Sequence, residues 1–93
     1  SNRLAAPEEL INVFNIYPNP ARDRVSIKIQ IIDREALLKL HIVNNLGQIL
    51  ESYNAASQQE LSIDVSHLPS GIYLLNLADI DGNSIATKKL TKE

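Results

Sequence analysis

The stretch RVSIKIQI, residues 24–31, decides the fold of this chain, because its apolar and polar side chains alternate without a break. Alternation with a period of two places every second side chain on the same face of a β-strand. The apolar face consists of the β-branched residues Val25, Ile27, Ile29 and Ile31. The opposite face consists of Ser26, Lys28 and Gln30. The stretch therefore predicts a strand of an antiparallel sheet, with one face in a core and the other in solvent.

Six further strands are predicted on either side of this one. Leu38 to Ile42 and Leu61 to Val65 repeat the alternation, whereas Gly71 to Ala78 is largely apolar and predicts a central strand covered on both sides or on a broad face. The remaining strands are Asn12 to Tyr17, Ile49 to Tyr53 and Ser84 to Thr91. Turns rich in Gly, Pro, Asn and Asp separate them, at residues 45–48, 68–71 and 79–83. Strands at this short spacing predict an all-β domain, an antiparallel immunoglobulin-like β-sandwich of about seven strands.

Length and composition favour a single domain. The chain has 93 residues, of which residues 1–9 have the character of a linker or a cloning remnant and residues 10–93 form the predicted domain. Residues 33–36 are predicted to form a loop or one helical turn. A net charge of −2 lacks the basic excess that nucleic-acid binding requires. No apolar run approaches the roughly 18 residues of a membrane-spanning helix.

The residue types argue against catalysis and metal binding. Without cysteine, neither a Cys–His pair nor a thiolate metal site can form. His41 falls on the outward face of a strand and His67 falls in a turn, and neither has a second ligand at a usable spacing. Residues 79–83 resemble the start of a calcium loop, but the glycine comes two positions early and Leu90 replaces the bidentate glutamate. We therefore predict a non-catalytic domain with no metal and no cofactor.

Three short motifs follow one another in a fixed order. The first is YPNP at residues 17–20, the second is NLGQ around Gly47, and the third is LPSGIY at residues 68–73. A lysine pair, Lys88 and Lys89, lies in the last predicted strand. In this order and at this spacing, the motifs resemble the type A C-terminal sorting domain of cargo proteins of the type IX secretion system, or Por secretion system, of Bacteroidota. The resemblance extends over nearly the whole predicted domain.

The resemblance implies a passive signal. It implies that the domain follows a larger cargo domain of the same chain and directs it from the periplasm, through the type IX translocon, to the cell surface or the medium. It also implies removal of the domain by a sortase-like peptidase, upstream of the folded part, and attachment of the cargo to an anionic lipopolysaccharide. The residues to which it assigns the sorting motifs are Tyr17, Pro18, Asn19, Pro20, Gly47, Leu68, Pro69, Gly71, Tyr73, Lys88 and Lys89.

Turn chemistry offers a second explanation for the same motifs. Pro18 and Pro20 restrict their neighbours to extended conformations, and Asn19 is placed to cap the resulting turn. Leu68 and Tyr73 have the character of core residues. On this interpretation the motifs build the fold, and the secretion machinery reads its shape together with the last strand.

The last predicted strand, near residues 84–92, leads to a hypothesis for recognition. A strand at the end of the chain can lie at the edge of a sheet, where unpaired backbone groups accept a partner strand. Lys88, Lys89 and Lys92 would add charge steering. The same sheet edges predict that the isolated domain can form a homodimer.

An alternative function is an immunoglobulin-like adhesion or carbohydrate-binding module of a surface protein. Sugar binding by such a module requires exposed aromatic rings, which stack on the apolar face of a sugar. Tyr17 and Tyr53 are the candidates, because Phe14 and Tyr73 are expected in the core.

Overall fold

The structure, a computed structural model, describes residues 11–31, 37–56 and 59–93. Within these ranges the chain forms seven β-strands and no helix. The strands are β1 (Ile11–Tyr17), β2 (Arg24–Ile31), β3 (Leu37–Val43), β4 (Ile49–Ala56), β5 (Gln59–Asp64), β6 (Gly71–Asp79) and β7 (Ser84–Lys92). All the predicted strands are confirmed, with small differences at their ends. The predicted linker at residues 1–9 and the predicted loop at residues 33–36 lie outside the described residues.

The strands form two antiparallel sheets that pack face to face. One sheet has three strands in the order β1-β2-β5, and the other has four in the order β4-β3-β6-β7. Every neighbouring pair of strands is antiparallel. Both sheets contribute to one apolar cluster between them. The predicted antiparallel β-sandwich is therefore confirmed.

The alternating apolar residues of β2 point into the space between the sheets. Val25, Ile27 and Ile29 are fully buried. They belong to one cluster with residues of the four-stranded sheet, among them Leu40 and Leu75. Burying an aliphatic side chain of this size contributes about 1.5–3 kcal/mol to folding. This aliphatic layer is therefore the main source of the stability of the domain.

The strand β6 is an inner strand of its sheet, as its apolar run predicts. Tyr73 and Leu75 face the core and are buried, whereas Ile72 and Leu74 face outward and are 54% and 39% exposed. Among the described residues, the outer face of this sheet carries no further layer. Of the two expectations for this run, cover on one broad face is the one found.

The connections between strands lie at two ends of the sandwich. Residues 18–23, 44–48 and 65–70 connect strands at one end, where β7 also ends. We call this end the motif pole, because all three sequence motifs lie there. The start of β1 and the turn at residues 80–83 lie at the other end, the far pole. The longest dimension of the molecule is 44 Å.

The turn between β3 and β4 begins at Asn44, one residue earlier than predicted. The Asn44 side-chain oxygen Oδ1 accepts hydrogen bonds from the backbone N–H groups of Leu46 and Gln48, each at 2.9 Å. Gly47 adopts φ 83°, a left-handed conformation that favours glycine. The side chain of Asn44 thus adds to the backbone hydrogen bonds of the turn, as asparagine commonly does in tight turns.

The turn between β6 and β7 is built in the same way. The Asp79 oxygen Oδ1 accepts hydrogen bonds from the N–H groups of Asp81 at 3.0 Å and Asn83 at 2.9 Å. These bonds, that from Asn83 above all, hold the pKa of Asp79 below its ordinary value. The prediction of a hairpin turn at residues 79–83 is confirmed, and the carboxylate that resembled a calcium ligand is engaged by the turn itself.

We predict that Asp79→Asn preserves the fold at neutral pH and weakens the acid sensitivity of the domain. Because the folded-state pKa of Asp79 is lowered from 3.8, its carboxylate contributes stability above that value, and the contribution is lost as the pH falls through the lowered value. An amide keeps the acceptor oxygen, as Asn44 does in the first turn, and does not titrate. Urea unfolding should show the free energy of the parent falling more steeply than that of the variant below about pH 4.

Asp81→Asn is the matched control for this experiment. Asp81 lies in the same turn, but it is the backbone N–H of Asp81, rather than its carboxylate, that bonds Asp79. The control should keep the pH dependence of the parent. Identical acid dependence for the parent and Asp79→Asn would contradict the role given to the Asp79 carboxylate.

Candidate functional site

The YPNP motif lies along the outer edge of β7. The Asn19 side chain bonds the backbone of that strand twice: Nδ2 donates to the carbonyl of Lys89, and Oδ1 accepts from the N–H of Thr91, each at 2.9 Å. An amide offers one donor and one acceptor side by side, as a peptide group does. The sequence predicted that Asn19 caps its own turn. Its side chain instead bonds the edge of β7, in the position that a neighbouring strand would take. The peptide bonds before Pro18 and Pro20 are both cis.

Ala21 continues the pairing where Asn19 ends. The Ala21 N–H donates to the carbonyl of Thr91 at 2.8 Å, and the Ala21 carbonyl accepts from the N–H of Glu93 at 2.9 Å. These bonds form a parallel bridge between Ala21 and Lys92, and Ala21 is fully buried beneath it. The outward backbone groups of β7 are therefore bonded over its last residues.

The strand β7 is an edge strand, as predicted, but much of its edge is occupied. In an antiparallel ladder, alternate residues direct their backbone groups away from the partner strand. Lys89, Thr91 and Glu93 direct such groups toward the YPNP segment. Thr87 is the next residue along β7, toward the far pole, whose backbone groups point away from β6. The hypothesis that a partner strand pairs along the end of β7 is corrected for the folded domain, because the groups it requires are taken.

The turn at Leu68 and Pro69 closes the other side of the motif pole. The Leu68 side chain is buried, and its N–H donates to the carbonyl of Val65 at 3.0 Å. The buried Tyr73 donates its hydroxyl hydrogen bond to the carbonyl of Pro69 at 2.5 Å. The core roles expected for Leu68 and Tyr73 are therefore found in the structure.

Lys92 joins this turn to the final strand. Its side chain is only 8% exposed, and Gly71 is its partner at the start of β6. Nζ donates to the carbonyl of Leu68 at 3.1 Å and to the backbone oxygen of Glu93 at 3.0 Å. Hydrogen bonds of this kind offset the cost of removing an ammonium group from water. The sequence carried one signal for this role, since Lys92 lies two residues after Leu90 and shares its inward face.

The predicted lysine pair lies apart from this junction. Lys88 and Lys89 are both exposed. Lys89 lies opposite Leu74, on the outer face of the sheet, and Lys88 lies opposite Leu75, at the margin of the core. Of the three lysines near the end of the chain, Lys92 was left out of the predicted motif, and it is the one whose side chain is buried and hydrogen-bonded.

The remaining predicted residues also lie at the motif pole. Tyr17 is 46% exposed, and its hydroxyl donates to Glu60 on the outer face of the three-stranded sheet. Gly47 lies in the turn between β3 and β4. Pro18 and Pro20 are exposed. The structure therefore brings Asn19 and the 68–69 turn together around β7, and leaves Tyr17 and Gly47 beside that junction.

A small network of side chains ties β4 to the loop at residues 65–70. Glu51 accepts a hydrogen bond from the Tyr53 hydroxyl and pairs with His67, and these contacts hold the pKa of Glu51 below its ordinary value. Burial, followed by the hydrogen bond to Glu51, raises the pKa of Tyr53 to about 12. The Tyr53 ring packs against the core. Both ends of this tyrosine are therefore engaged by the fold.

The motif pole is a surface of turns and strands. In the described part of the chain, no three His, Asp or Glu side chains are grouped so that they could hold a metal ion. The described residues also contain no helix long and apolar enough to span a bilayer. A cleft of about 370 Å³ lies at the far pole, lined by Leu37, Leu38, Lys39, Asn54, Ala55 and Ile80. The clustered sequence motifs, rather than a pocket, therefore mark the candidate site.

Sequence comparison identifies a family for most of the chain. A family model described as the secretion system C-terminal sorting domain matches residues 15–93. The match includes all three motifs, Asn19, Lys92 and the whole of β7. No curated protein matches the sequence.

Two solved structures resemble the fold. One, described as the BSP domain of a biofilm-associated protein, has a TM-score of 0.69 at 13% identity, covering 89% of this chain and 15% of that chain. The other is an immunoglobulin-like β-sandwich protein of the DUF3244 family from Bacteroides vulgatus, with a TM-score of 0.62 at 12% identity, covering 86% of this chain and 84% of that chain. At these identities the likeness shows the fold alone. It confirms the predicted immunoglobulin-like sandwich.

We predict that Lys92→Met destabilises the domain by about 1–3 kcal/mol, because it leaves the buried Leu68 carbonyl without its donor. Methionine keeps most of the apolar stem and therefore isolates the loss of the ammonium group. Urea unfolding measures the change. Lys89→Met, at an exposed position of the same strand, is the control and should change stability by less than about 0.5 kcal/mol. Equal effects at the two positions would contradict the role given to Lys92.

We predict that Asn19→Ala lowers the free energy of unfolding by about 1 kcal/mol, because it removes both side-chain bonds to β7. Asn19→Asp should not restore the loss, since a carboxylate cannot donate to the Lys89 carbonyl. Asn15→Ala, at an exposed asparagine of β1, is the control and should be nearly neutral. An Asn19→Ala protein with the same free energy of unfolding as the parent would show that the Asn19 bonds do not stabilise the last strand.

Proposed function

The chain belongs to the family of secretion system C-terminal sorting domains, and we propose that it directs a larger cargo protein through the type IX secretion system. The match over residues 15–93 is the observation that carries this proposal. The proposed route passes through the periplasm and an outer-membrane translocon to the cell surface or the medium. It includes removal of the domain by a sortase-like peptidase and attachment of the cargo at the surface.

The positions of the two poles explain how one signal can serve a large cargo. Cargo that precedes residue 11 joins the domain at the far pole, because β1 begins there. The motif pole lies at the opposite end of the strands. A receptor that binds the motif pole therefore meets the same surface whatever the cargo.

We propose that the domain acts by being bound and not by catalysis. His41 bonds the Ser52 hydroxyl and His67 pairs with Glu51, so contacts between neighbouring elements engage both histidines. Asp79 is engaged by its own turn. In this proposal, the bond cleavage that releases the cargo is the work of the peptidase.

Cleavage is proposed to fall before residue 11. Most of the described residues from Ile11 onward lie in paired strands, and a peptidase requires an unpaired, extended segment in its active site. The composition of residues 1–9, small and polar with one proline, supports this placement.

The alternative function, carbohydrate binding or adhesion, has less support. Tyr17 is the one strongly exposed aromatic ring in the described part of the chain, and its hydroxyl is bonded to Glu60. Tyr53, the other candidate, packs against the core. A single ring does not form the stacking surface that this function requires.

We predict that residues 1–93, fused behind a fluorescent protein that carries its own export signal, send that protein to the surface or the medium of a type IX host. In a strain of the same host without the translocon, the fusion should remain in the periplasm. Cell fractionation and fluorescence of the medium measure the outcome. Retention in the periplasm of the competent host would contradict the proposed function.

The form of the signal calls for substitutions rather than truncations. Deleting residues 88–93 would remove the fully buried Leu90 and the Lys92 bond to Leu68, so the domain would lose part of its core together with its last strand. A secretion defect after such a deletion would not separate recognition from folding. Point variants that remain folded can make that separation.

A further inference from the structure

The outer face of the four-stranded sheet has a polar row across its middle and exposed apolar side chains on the motif-pole side of that row, while Leu37, also exposed, lies on its far-pole side. Toward the far pole, one row of cross-strand partners is polar and consists of Ser52, His41, Asn76 and Thr87. The next row, toward the motif pole, consists of Ile49, Val43 and Leu74 on three adjacent strands. Ile72 follows on β6, on the same face as Leu74. The side chains on this face therefore change from polar to apolar between one row and the next.

The apolar side chains on the motif-pole side of the polar row are open to solvent. Ile49 is 58% exposed and Ile72 is 54% exposed. The three-stranded sheet carries no such surface in its corresponding central row, which consists of Asn15, Lys28 and Glu60. Contiguous apolar surface on a small domain commonly marks an interaction site.

Leu46 lies in the turn that joins Val43 to Ile49, two residues of this surface. It is 77% exposed at the tip of the turn between β3 and β4. Asn44 and Gly47 supply what the turn requires, and Leu46 contributes only a backbone N–H to it. The turn therefore does not require a leucine side chain at this position. We call Val43, Leu46, Ile49, Ile72 and Leu74 the apolar half-face.

We propose that the apolar half-face binds a protein of the secretion machinery whose own surface is apolar and carries a carboxylate opposite Lys89. This inference rests on the proposed function. Lys89 lies beside Leu74 and is the one charged residue in these rows of the described sheet. An acidic partner would complement its charge. Because the YPNP segment occupies the end of the β7 edge, the partner cannot add a strand there. It instead contacts the side chains of the sheet face.

A second copy of the chain fits this surface less well. Two apolar half-faces in contact would bury Lys89 without an acidic residue among the members of the facing surface, and an unpaired buried charge is costly. A membrane surface also fits less well, because one lysine contributes only about 1 kcal/mol of attraction to anionic lipid. A protein partner supplies both the apolar contact and the carboxylate.

Secretion of the fluorescent fusion tests this inference. The double variant Leu46→Ser, Leu74→Thr should reduce the secreted fraction about tenfold or more, as loss of central apolar contacts does at protein interfaces. Lys89→Glu should reduce it similarly, and Lys89→Arg should remain within about twofold of the parent. Thermal unfolding of each purified domain establishes that the variants are folded. If the double variant is not, Leu46→Ser alone decides the question, because this exposed side chain does not support the turn.

Ile80→Ser is the matched control. Ile80 is 66% exposed in the turn between β6 and β7, which lies at the far pole. Its secretion should remain within about twofold of the parent. Normal secretion of folded Leu46→Ser and Leu74→Thr would overturn the inference while leaving the proposed function intact. Equal losses of secretion for Leu46→Ser and Ile80→Ser would also overturn it. A dimer in light scattering that Leu74→Thr dissociates would show that the surface binds a second copy, and binding to anionic lipid vesicles that Leu74→Thr abolishes would show that it binds a membrane; either result would overturn the inference. A parent fusion that is not secreted would overturn the proposed function itself.

Discussion

The bonds between the YPNP segment and the edge of β7 are the constraint on which the motif pole depends. Asn19 and Ala21 together use four outward backbone groups at the end of the last strand. This contact joins the first connection in the sandwich to its final strand, and so joins the edges of the two sheets. It also protects an edge that would otherwise be open to unwanted pairing. The loop thus takes the place of an eighth strand.

In the proposed function, the motif pole combines a structural role and a recognition role in different residues. Asn19, Leu68 and Lys92 hold the turns and the last strand together through bonds of ordinary length. Leu46, Leu74 and Lys89 form the surface that those bonds present. Motif residues that build the fold are therefore compatible with a signal that is read from its surface. In this account, the secretion machinery recognises a folded shape with an apolar face, whatever protein precedes it.

Much of the fold follows from the sequence, because the alternation in β2 and the turn residues act locally. The register of a half-buried strand is fixed by which side chains are apolar, and the structure follows that pattern at Val25, Ile27 and Ile29. The partner of Asn19 was not predictable, since the contact joins residues about 70 positions apart and an asparagine next to proline equally suits a local cap. Lys92 was also missed as a core residue, because a lysine near the end of a chain is usually exposed. Pairing with a backbone carbonyl becomes visible only in three dimensions.

Amide hydrogen exchange on the isolated domain tests the central claim most directly. If the YPNP segment acts as a neighbouring strand, the N–H groups of Thr91 and Glu93 will exchange slowly, at rates similar to those of inner strands. The N–H of Thr87, outward on the same strand but beyond the reach of the segment, will exchange quickly. Equally fast exchange at Thr87, Thr91 and Glu93 would show an open edge and would contradict this account of the motif pole.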